Sequence, residues 1–578
     1  MSIDNLRDLD RSAITEAAAG WSKVSNRADA AMRRVNHEML RRLNETQQGE
    51  GADSAISALK QLSRNYEYIH AECGLIRTAL DGLADELAAP QRKLREALDE
   101  AQQRGFTVGS DGSVTYPGEM LYGPDPGGAG SGERAPSGPE QGPPFLGSSG
   151  KDPNRAKAQD IADRIGSALK EAAEIDGRYS RALARLTTAR GLTVDDAVWR
   201  DAAQDMAALR KAAGAHVKLS GVPKGASPQR NAAWWKGLTQ EQRDEYTALY
   251  PDVIGALNGI PSDARDSANR LVLAETRSTL ASTLASLPEN DANKLQRKLI
   301  EGQLKGMEAI QNRLDSAGVD GMPDRYLLAF DTRGNGHAIV ATGNPDTAQN
   351  TAVYIPGTHA KLESINGDLN RSDLLWRKSL KVDPNRSTAT IAYLGYDAPQ
   401  SIAPSAMSRS YADHGAAGLN NFMAGLAVAQ GGDDKSHTTL IGHSYGTTLI
   451  GSAARHGHLS GDDVVLVGSP GVEVGNAKDL DVGKKHVWSE AAGDDRIPLL
   501  GKVFTGLPGR EFTVDTWHGV PYYAGWSAEV PSDEAFGAHR MRVDTSGHGG
   551  YWDTYPNHDS ESLLNQARVI TEHYGKVT

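Results

Sequence analysis

The chain has one cysteine, Cys73, in 578 residues. That excludes an intramolecular disulfide and a cysteine-based zinc site. A lone thiol on an apolar helix stripe reads as core. No apolar run approaches the ~18 residues that a membrane-spanning helix needs. Basic charge is in deficit: 62 Lys and Arg stand against 74 Asp and Glu, a net charge of −12, with pI about 5.8. A broad nucleic-acid-binding surface is therefore not expected. Met1-Ser2-Ile3-Asp4-Asn5-Leu6 has no basic n-region and no apolar h-region, so a secretory signal peptide is not expected. The chain is expected to be cytoplasmic, or exported by a route that reads no such signal. A Walker loop, a dinucleotide fingerprint and a metal-ligand cluster are all missing, so neither cofactor nor metal is expected. What remains is a polar chain, 39% hydrophobic with a mean hydropathy of −0.49. Its length suggests roughly three or four domains.

Residues 1–105 read as two long helices. Ile14, Ala17, Trp21, Val24, Ala28, Ala31, Val35 and Met39 mark one face of the first. Leu59, Leu62, Tyr66, Ile69, Cys73, Ile76, Leu80, Leu83 and Leu87 mark the second. Steps that alternate between three and four residues give the 3.5-residue repeat of a coiled-coil seam. A turn around Asn44 to Asp53 should fold the pair into an antiparallel hairpin ~60 Å long, with Pro90 kinking or interrupting the second helix. The hairpin resembles the small helical Trp-x-Gly substrates of type VII secretion. Here the turn reads Gly49-Glu50-Gly51-Ala52, without the tryptophan. A Tyr-x-x-x-Glu pattern at Tyr68 to Glu72 lies mid-helix rather than beyond the helix end, and Tyr68 is off the seam, so it reads as exposed. The resemblance implies a type VII secretion partner; the periodicity alone implies a partner-binding or self-associating arm.

Residues 106–153 should form a β-hairpin over Phe106 to Tyr116, turning at Asp111-Gly112, and then a flexible linker, Pro117 to Pro153, dense in Gly, Pro and Ser. Residues 154–320 return to helix. Ile161, Ile165, Leu169, Ala172, Ile175, Tyr179, Ala182 and Leu186 share a face. A second helix should begin at Thr193, with Asp196 completing a capping-box-like start. Trp234-Trp235 reads as a packing anchor, and a helical stretch is expected over about Ala274 to Ala317.

From about Asp324 the period changes. Short β-branched runs recur at 326–330, 338–341, 351–355, 389–394, 438–441, 464–467 and 486–490, with a last strand around Met541 to Val543. This is the pattern of a mostly parallel sheet with crossover helices, so 321–578 is expected to be an α/β domain with its chemistry past the C-terminal strand ends. Gly442-His443-Ser444-Tyr445-Gly446 follows the run Thr439-Leu440-Ile441 and precedes a small-residue helix pattern. Such a pentapeptide is a common accident in a chain with 62 glycines. The strand–turn–helix context makes it a nucleophile elbow, with Ser444 at the apex and the Tyr445 N–H aimed at a developing oxyanion.

The Trp-Trp pair joins Pro251-Asp252-Val253-Ile254-Gly255, Gly259-Ile260-Pro261 and Arg265-Asp266-Ser267-Ala268-Asn269-Arg270. Gly343 to Ala348, Tyr354-Ile355-Pro356-Gly357-Thr358, Gly395 to Pro399, Gly468-Ser469-Pro470-Gly471 and Gly547-His548 continue the set. From about Asn231 to the C-terminus the chain thus resembles an actinobacterial α/β-hydrolase family of unknown function. The resemblance implies a Ser-Asp-His core, in that chain order.

A serine hydroxyl needs a base and an oriented acid. Asp494 and Asp495 both follow the seventh run. The resemblance favours Asp495, placed directly before the x-Ile turn. The base falls in the loop after the last strand, where the glycine surroundings and the resemblance favour His548 over His518, His539, His558 and His573. The second oxyanion donor is expected from Thr358 N–H. Gly357, Tyr396, His443, Trp517 and Trp526 are expected to border the pocket, the two tryptophans within an aromatic insert that includes Phe504, Phe512, Tyr522 and Tyr523. The expectation is a serine esterase or lipase-like enzyme acting on a small-molecule or lipid ester. Two alternatives stay open: amidase, peptidase or acyltransferase chemistry on the same residues, and an interaction protein that uses a hydrolase scaffold.

Overall fold

The polar first part of the chain is helical because its apolar residues recur at helical spacing. The computed structural model describes residues 1–117, 133–135, 153–186, 192–316, 319–402, 405–499, 515–517, 520–522, 530–555 and 560–578. Long helices run over Arg11–Arg34, Glu50–Glu86, Ala88–Gln103, Pro153–Leu183 and Asp196–Ala213. The expected turn falls at 47–49, with Gly49 at φ 97°. The helix breaks at Leu87, and Pro90 lies in the first turn of the next helix, where its missing N–H forfeits no bond.

Several expectations need correction here. Trp21, Val24 and Met39 of the first seam are 38%, 40% and 45% exposed, while Ala18 and Ser25 beside it are buried. Tyr68 is buried, as is Glu72. The second helix packs on more than one side, which the single seam did not anticipate. Burial, then the nearby charges of Asp205 and Asp201, pushes the Glu72 carboxyl up to about 8. The Cys73 thiol is buried and pushed up to about 11 by the same burial and by the Glu72 charge. The helix after 193 begins at Asp196, capped by Asp195, whose carboxylate accepts from the Ala197 and Val198 amides. The Thr107–Val108 and Val114–Tyr116 strands pair through a five-residue loop rather than a two-residue turn. Glu133–Ala135, expected as linker, adds a third strand to them; the rest of the 118–152 segment lies outside the described residues. The stretch expected over 274–317 is two helices, Ser262–Ser286 and Lys294–Leu314.

The chain divides into two compact units. The first comprises Met1–Asp29, Glu67–Leu192 and Asp201–Leu219. In it, Ala88–Gln103 packs along Pro153–Leu183. Leu94, Ala97, Ile161 and Ile165 are buried, and Tyr179 Oη donates to Glu86 at 2.7 Å.

The second unit comprises Ala30–Tyr66, Thr193–Arg200 and Ser220–Thr578. Its Trp235 is buried, and Trp234 meets Tyr246 edge-on at 5.1 Å. Its centre is an eight-stranded sheet. The strands are β1 (Arg325–Asp331), β2 (His337–Thr342), β3 (Asn350–Ile355) and β4 (Thr388–Leu394). They continue as β5 (His437–His443), β6 (Asp463–Val467), β7 (Val487–Glu490) and β8 (His539–Arg540). Across the sheet the order is β1-β2-β4-β3-β5-β6-β7-β8. β2 pairs antiparallel with β1 and β4, and the remaining pairs are parallel. The last strand lies two residues before its expected place, and Met541 contributes one further bond, N–H to the Ser489 carbonyl. β3, β6 and β7 are buried along their whole lengths, as strands covered on both faces must be. Helices α1 (Ile365–Val382), α2 (Ser410–Gln430), α3 (Tyr445–His456) and α4 (Glu561–Ile570) follow the strands. Among the described residues no helix is long and apolar enough to cross a membrane.

Candidate active site

The C-terminal ends of β3, β5, β6 and β7 converge on Ser444. The residue sits between β5 and α3 at φ 53° and ψ −124°, a conformation that side chains other than glycine rarely adopt. Its neighbours make the turn possible. A Cβ on Gly446 would lie 2.2 Å from the Ile355 carbonyl oxygen, and one on Gly442 2.8 Å from the Thr447 nitrogen. The strand end and the first helical turn approach so closely that only glycine fits. Tyr445 opens α3, where an N–H has no intrahelical acceptor.

Gly357 lies on this elbow. Its Cβ would stand 2.7 Å from Ser444 Cβ and 2.9 Å from the Tyr445 nitrogen. The loop that carries Gly357 and Thr358 is fastened from behind: Tyr396 Oη donates to the Pro356 carbonyl at 2.7 Å, and the His359 N–H to the Pro399 carbonyl at 2.8 Å. Tyr396, expected beside the pocket, is buried, with its hydroxyl engaged by that loop.

The two aspartates after β7 take different partners. Asp495 Oδ2 receives His548 Nδ1 at 2.8 Å. Asp494 Oδ1 receives the Gly547 N–H at 2.8 Å and so holds the loop that carries the histidine. Asp495 Oδ1 accepts from the Ile497 amide at 2.9 Å, and Tyr551 Oη donates to Oδ2 at 2.7 Å. Burial alone would raise the Asp495 carboxyl; the bonds from His548, Tyr551 and Ile497 outweigh it and hold the group below the ordinary carboxylate range. Gly468, at φ 57° after β6, leaves room for this pair. A Cβ there would fall 2.9 Å from Asp495 Oδ2 and 3.1 Å from His548 Nδ1.

His443, expected to border the pocket, is buried under His548 instead. The two rings lie 4.7 Å apart, and His443 Nε2 is 2.8 Å from the His548 carbonyl. A carbonyl only accepts, so Nε2 carries the proton. Desolvation, the Arg371 charge and His548 push His443 down to about 3, so it is neutral at working pH. Beneath it Trp552 stacks edge-on at 5.1 Å, with the Arg371 guanidinium 4.9 Å from the Trp552 ring centre. Arg371 in turn donates to Tyr354 Oη at 2.8 Å. The imidazole thus rests on a layered stack that reaches α1.

Trp517 belongs to a short antiparallel pair, Asp515–Trp517 with Val520–Tyr522. Trp526, Phe504, Phe512 and Tyr523 lie outside the described residues, as do His518 and His558. Among the described residues no His, Cys, Asp and Glu cluster is arranged to hold a metal ion. Tyr551 and the support role of His443 escaped the sequence reading. Neither has a periodic signal, and each acts on a residue more than 50 positions away.

A family profile described as alpha/beta hydrolase matches residues 331–504. An uncharacterised protein of Mycobacterium tuberculosis is 30% identical over 376 residues, which cover 61% of this chain and 56% of that protein. An uncharacterised protein of Mycobacterium bovis is 31% identical over 186 residues, 30% of this chain and 68% of that protein. The chain therefore spans about half the length of the first of these relatives, 56%. No solved structure matches it.

Proposed function

The chain belongs to an α/β-hydrolase family of unknown function, and from that premise we propose that it is a serine hydrolase cleaving carboxylic esters, esterase- or lipase-like. One observation carries the reading: a strained serine at φ 53° stands at the strand ends where a buried aspartate receives His548 Nδ1 at 2.8 Å. In this mechanism His548 Nε2 takes the Ser444 proton as Oγ attacks the ester carbonyl. Asp495 holds the Nδ1–H tautomer and stabilises the imidazolium. The Tyr445 and Thr358 N–H groups receive the oxyanion. The alcohol leaves with the proton from His548; a water deprotonated by His548 then attacks the acyl carbon, and the acid is released as His548 returns the proton to Ser444 Oγ.

The preferred substrate is a small-molecule or lipid ester. Amides, peptides and acyl acceptors would pass through the same acyl-enzyme, and a panel of matched esters and amides separates them. Ser444→Ala should lower p-nitrophenyl ester hydrolysis by at least about a thousandfold and abolish labelling by a fluorophosphonate probe. Full activity in that variant would overturn the assignment. A wild-type chain that neither labels nor hydrolyses would favour the interaction-scaffold alternative. For the N-terminal helices we propose a self-associating arm. The exposed Trp21 and Val24 support it, because adjacent large apolar side chains left on a helix face favour cover by a second apolar surface.

A further inference from the structure

The single helical turn after His548 carries a residue that touches the proposed acid directly. Tyr551, within Gly550–Trp552, is fully buried. Its hydroxyl accepts from the Ala492 amide at 3.0 Å and donates to Asp495 Oδ2 at 2.7 Å. A phenol has one proton to give, and an amide nitrogen takes none, so that proton is committed to the carboxylate. His548 Nδ1 meets the same oxygen, at 2.8 Å.

We propose that Tyr551 is a positioning residue that sets the basicity of His548 through the carboxylate oxygen both groups share. Its kinetic consequence rests on the serine-hydrolase reading; its effect on the imidazole does not. Two physical effects act together. First, two donors divide the electron density of one oxygen, so the tyrosine's share weakens the hold of the carboxylate on an imidazolium. Second, the hydroxyl ties the turn that carries the acid, at Ala492, to the loop that carries the base, which keeps the base in place for proton transfer. The third hydrogen bond, from Ile497 to the other oxygen, completes the clamp.

Among the described residues, four other titratable groups bear on this cluster. His443 lies under the imidazole and is neutral. Arg371 stacks on Trp552, and its charge bears on His443. Asp494 is engaged by the Gly547 amide. Glu490, on β7, bears electrostatically on Tyr551. None of them is hydrogen-bonded to Asp495 Oδ2, so among the described residues His548 and Tyr551 are the two side chains that share that oxygen.

The test uses the full chain labelled with 13C-histidine, the His548 resonance being assigned by its loss in His548→Asn. In Tyr551→Phe the carboxylate regains electron density and stabilises the imidazolium better. The His548 titration midpoint should then rise by about half to one pH unit. The acid limb of kcat/KM on p-nitrophenyl acetate should rise with it, and kcat should fall about tenfold at unchanged KM. A residue that only packs would lower the melting temperature and leave the midpoint in place, and an unmoved midpoint in a folded variant overturns the proposal. Should Tyr551→Phe not fold, 3-fluorotyrosine placed at 551 keeps the shape and strengthens the donor. The midpoint must then move down, and any other result overturns the proposal. A midpoint that moves as expected in a chain whose wild type never labels with fluorophosphonate would sink the hydrolase reading and leave the role of Tyr551 standing.

Discussion

Single atoms decide the geometry around Ser444, and Gly468 is the clearest case. Its φ of 57° and the 2.9 Å separation between a virtual Cβ and Asp495 Oδ2 leave no volume for a methyl group. Gly468→Ala should therefore cost about 1–2 kcal/mol of stability from the left-handed backbone. The larger effect should be on chemistry. The methyl must displace either the carboxylate or the imidazole, and a displacement on the order of 1 Å typically costs about a hundredfold in rate. A chain that melts a few degrees lower yet labels with fluorophosphonate as fast as wild type would show that the pair tolerates the shift. His443 illustrates the same economy of space. Its motif position suggested a pocket residue, while its ring supports His548 from below and its proton holds the His548 carbonyl.

Elements carry different amounts of information in their sequence. The proposed arm is tested at this level. Sedimentation of the full chain at micromolar concentration should give a dimer that Trp21→Ser weakens at least tenfold. A monomer in both, or a dimer indifferent to the change, would leave the exposed seam to another partner, such as a secretion component. Strand positions in the sheet were legible to within a residue or two where β-branched residues run together, as in 351–355 and 464–467. The last strand was not. β8 is the two residues His539 and Arg540, both exposed, so it carries no apolar signature, and the apolar Met541 and Val543 drew the expectation beyond it. The start of the 196–213 helix was misread for a related reason. Thr193 and Asp195 are both good caps, and only the carboxylate bonds to Ala197 and Val198 choose between them. The candidate residues Ser444, Asp495 and His548 were chosen from the sequence by residue type and chain order, and the Asp495–His548 contact at 2.8 Å is what the fold adds. The Tyr551 clamp was not, because a tyrosine after paired glycines looks like any packed aromatic until the fold brings it to residue 495.

At the scale of the whole molecule, the second unit buries carboxyls at an electrostatic cost. Burial pushes Asp368 up to about 6, Glu473 to about 7 and Glu490 to about 8. Glu490 is the extreme: Ser562 and Gln566 donate to one oxygen, and the other has no hydrogen-bond partner among the described residues. An acid whose folded pKa is raised binds its proton more tightly in the folded chain. Its contribution is fully present below the unfolded pKa of about 4.5 and is lost as pH rises toward 8. The chain should accordingly melt at a higher temperature at pH 6 than at pH 8. Glu490→Gln should remove much of that difference, recovering up to on the order of 3–4 kcal/mol at pH 8 and little at pH 5. Calorimetry at the three pH values checks this, and a variant with the wild-type slope would rule out Glu490 as its source. The bare backbone at Gly468 has a wider consequence. Beyond its backbone cost, any side chain there falls on the encounter of Asp495 with His548. The proposed chemistry therefore predicts a glycine at the matching position of every relative that shares it, and a larger residue there would mark a relative that has kept the scaffold alone.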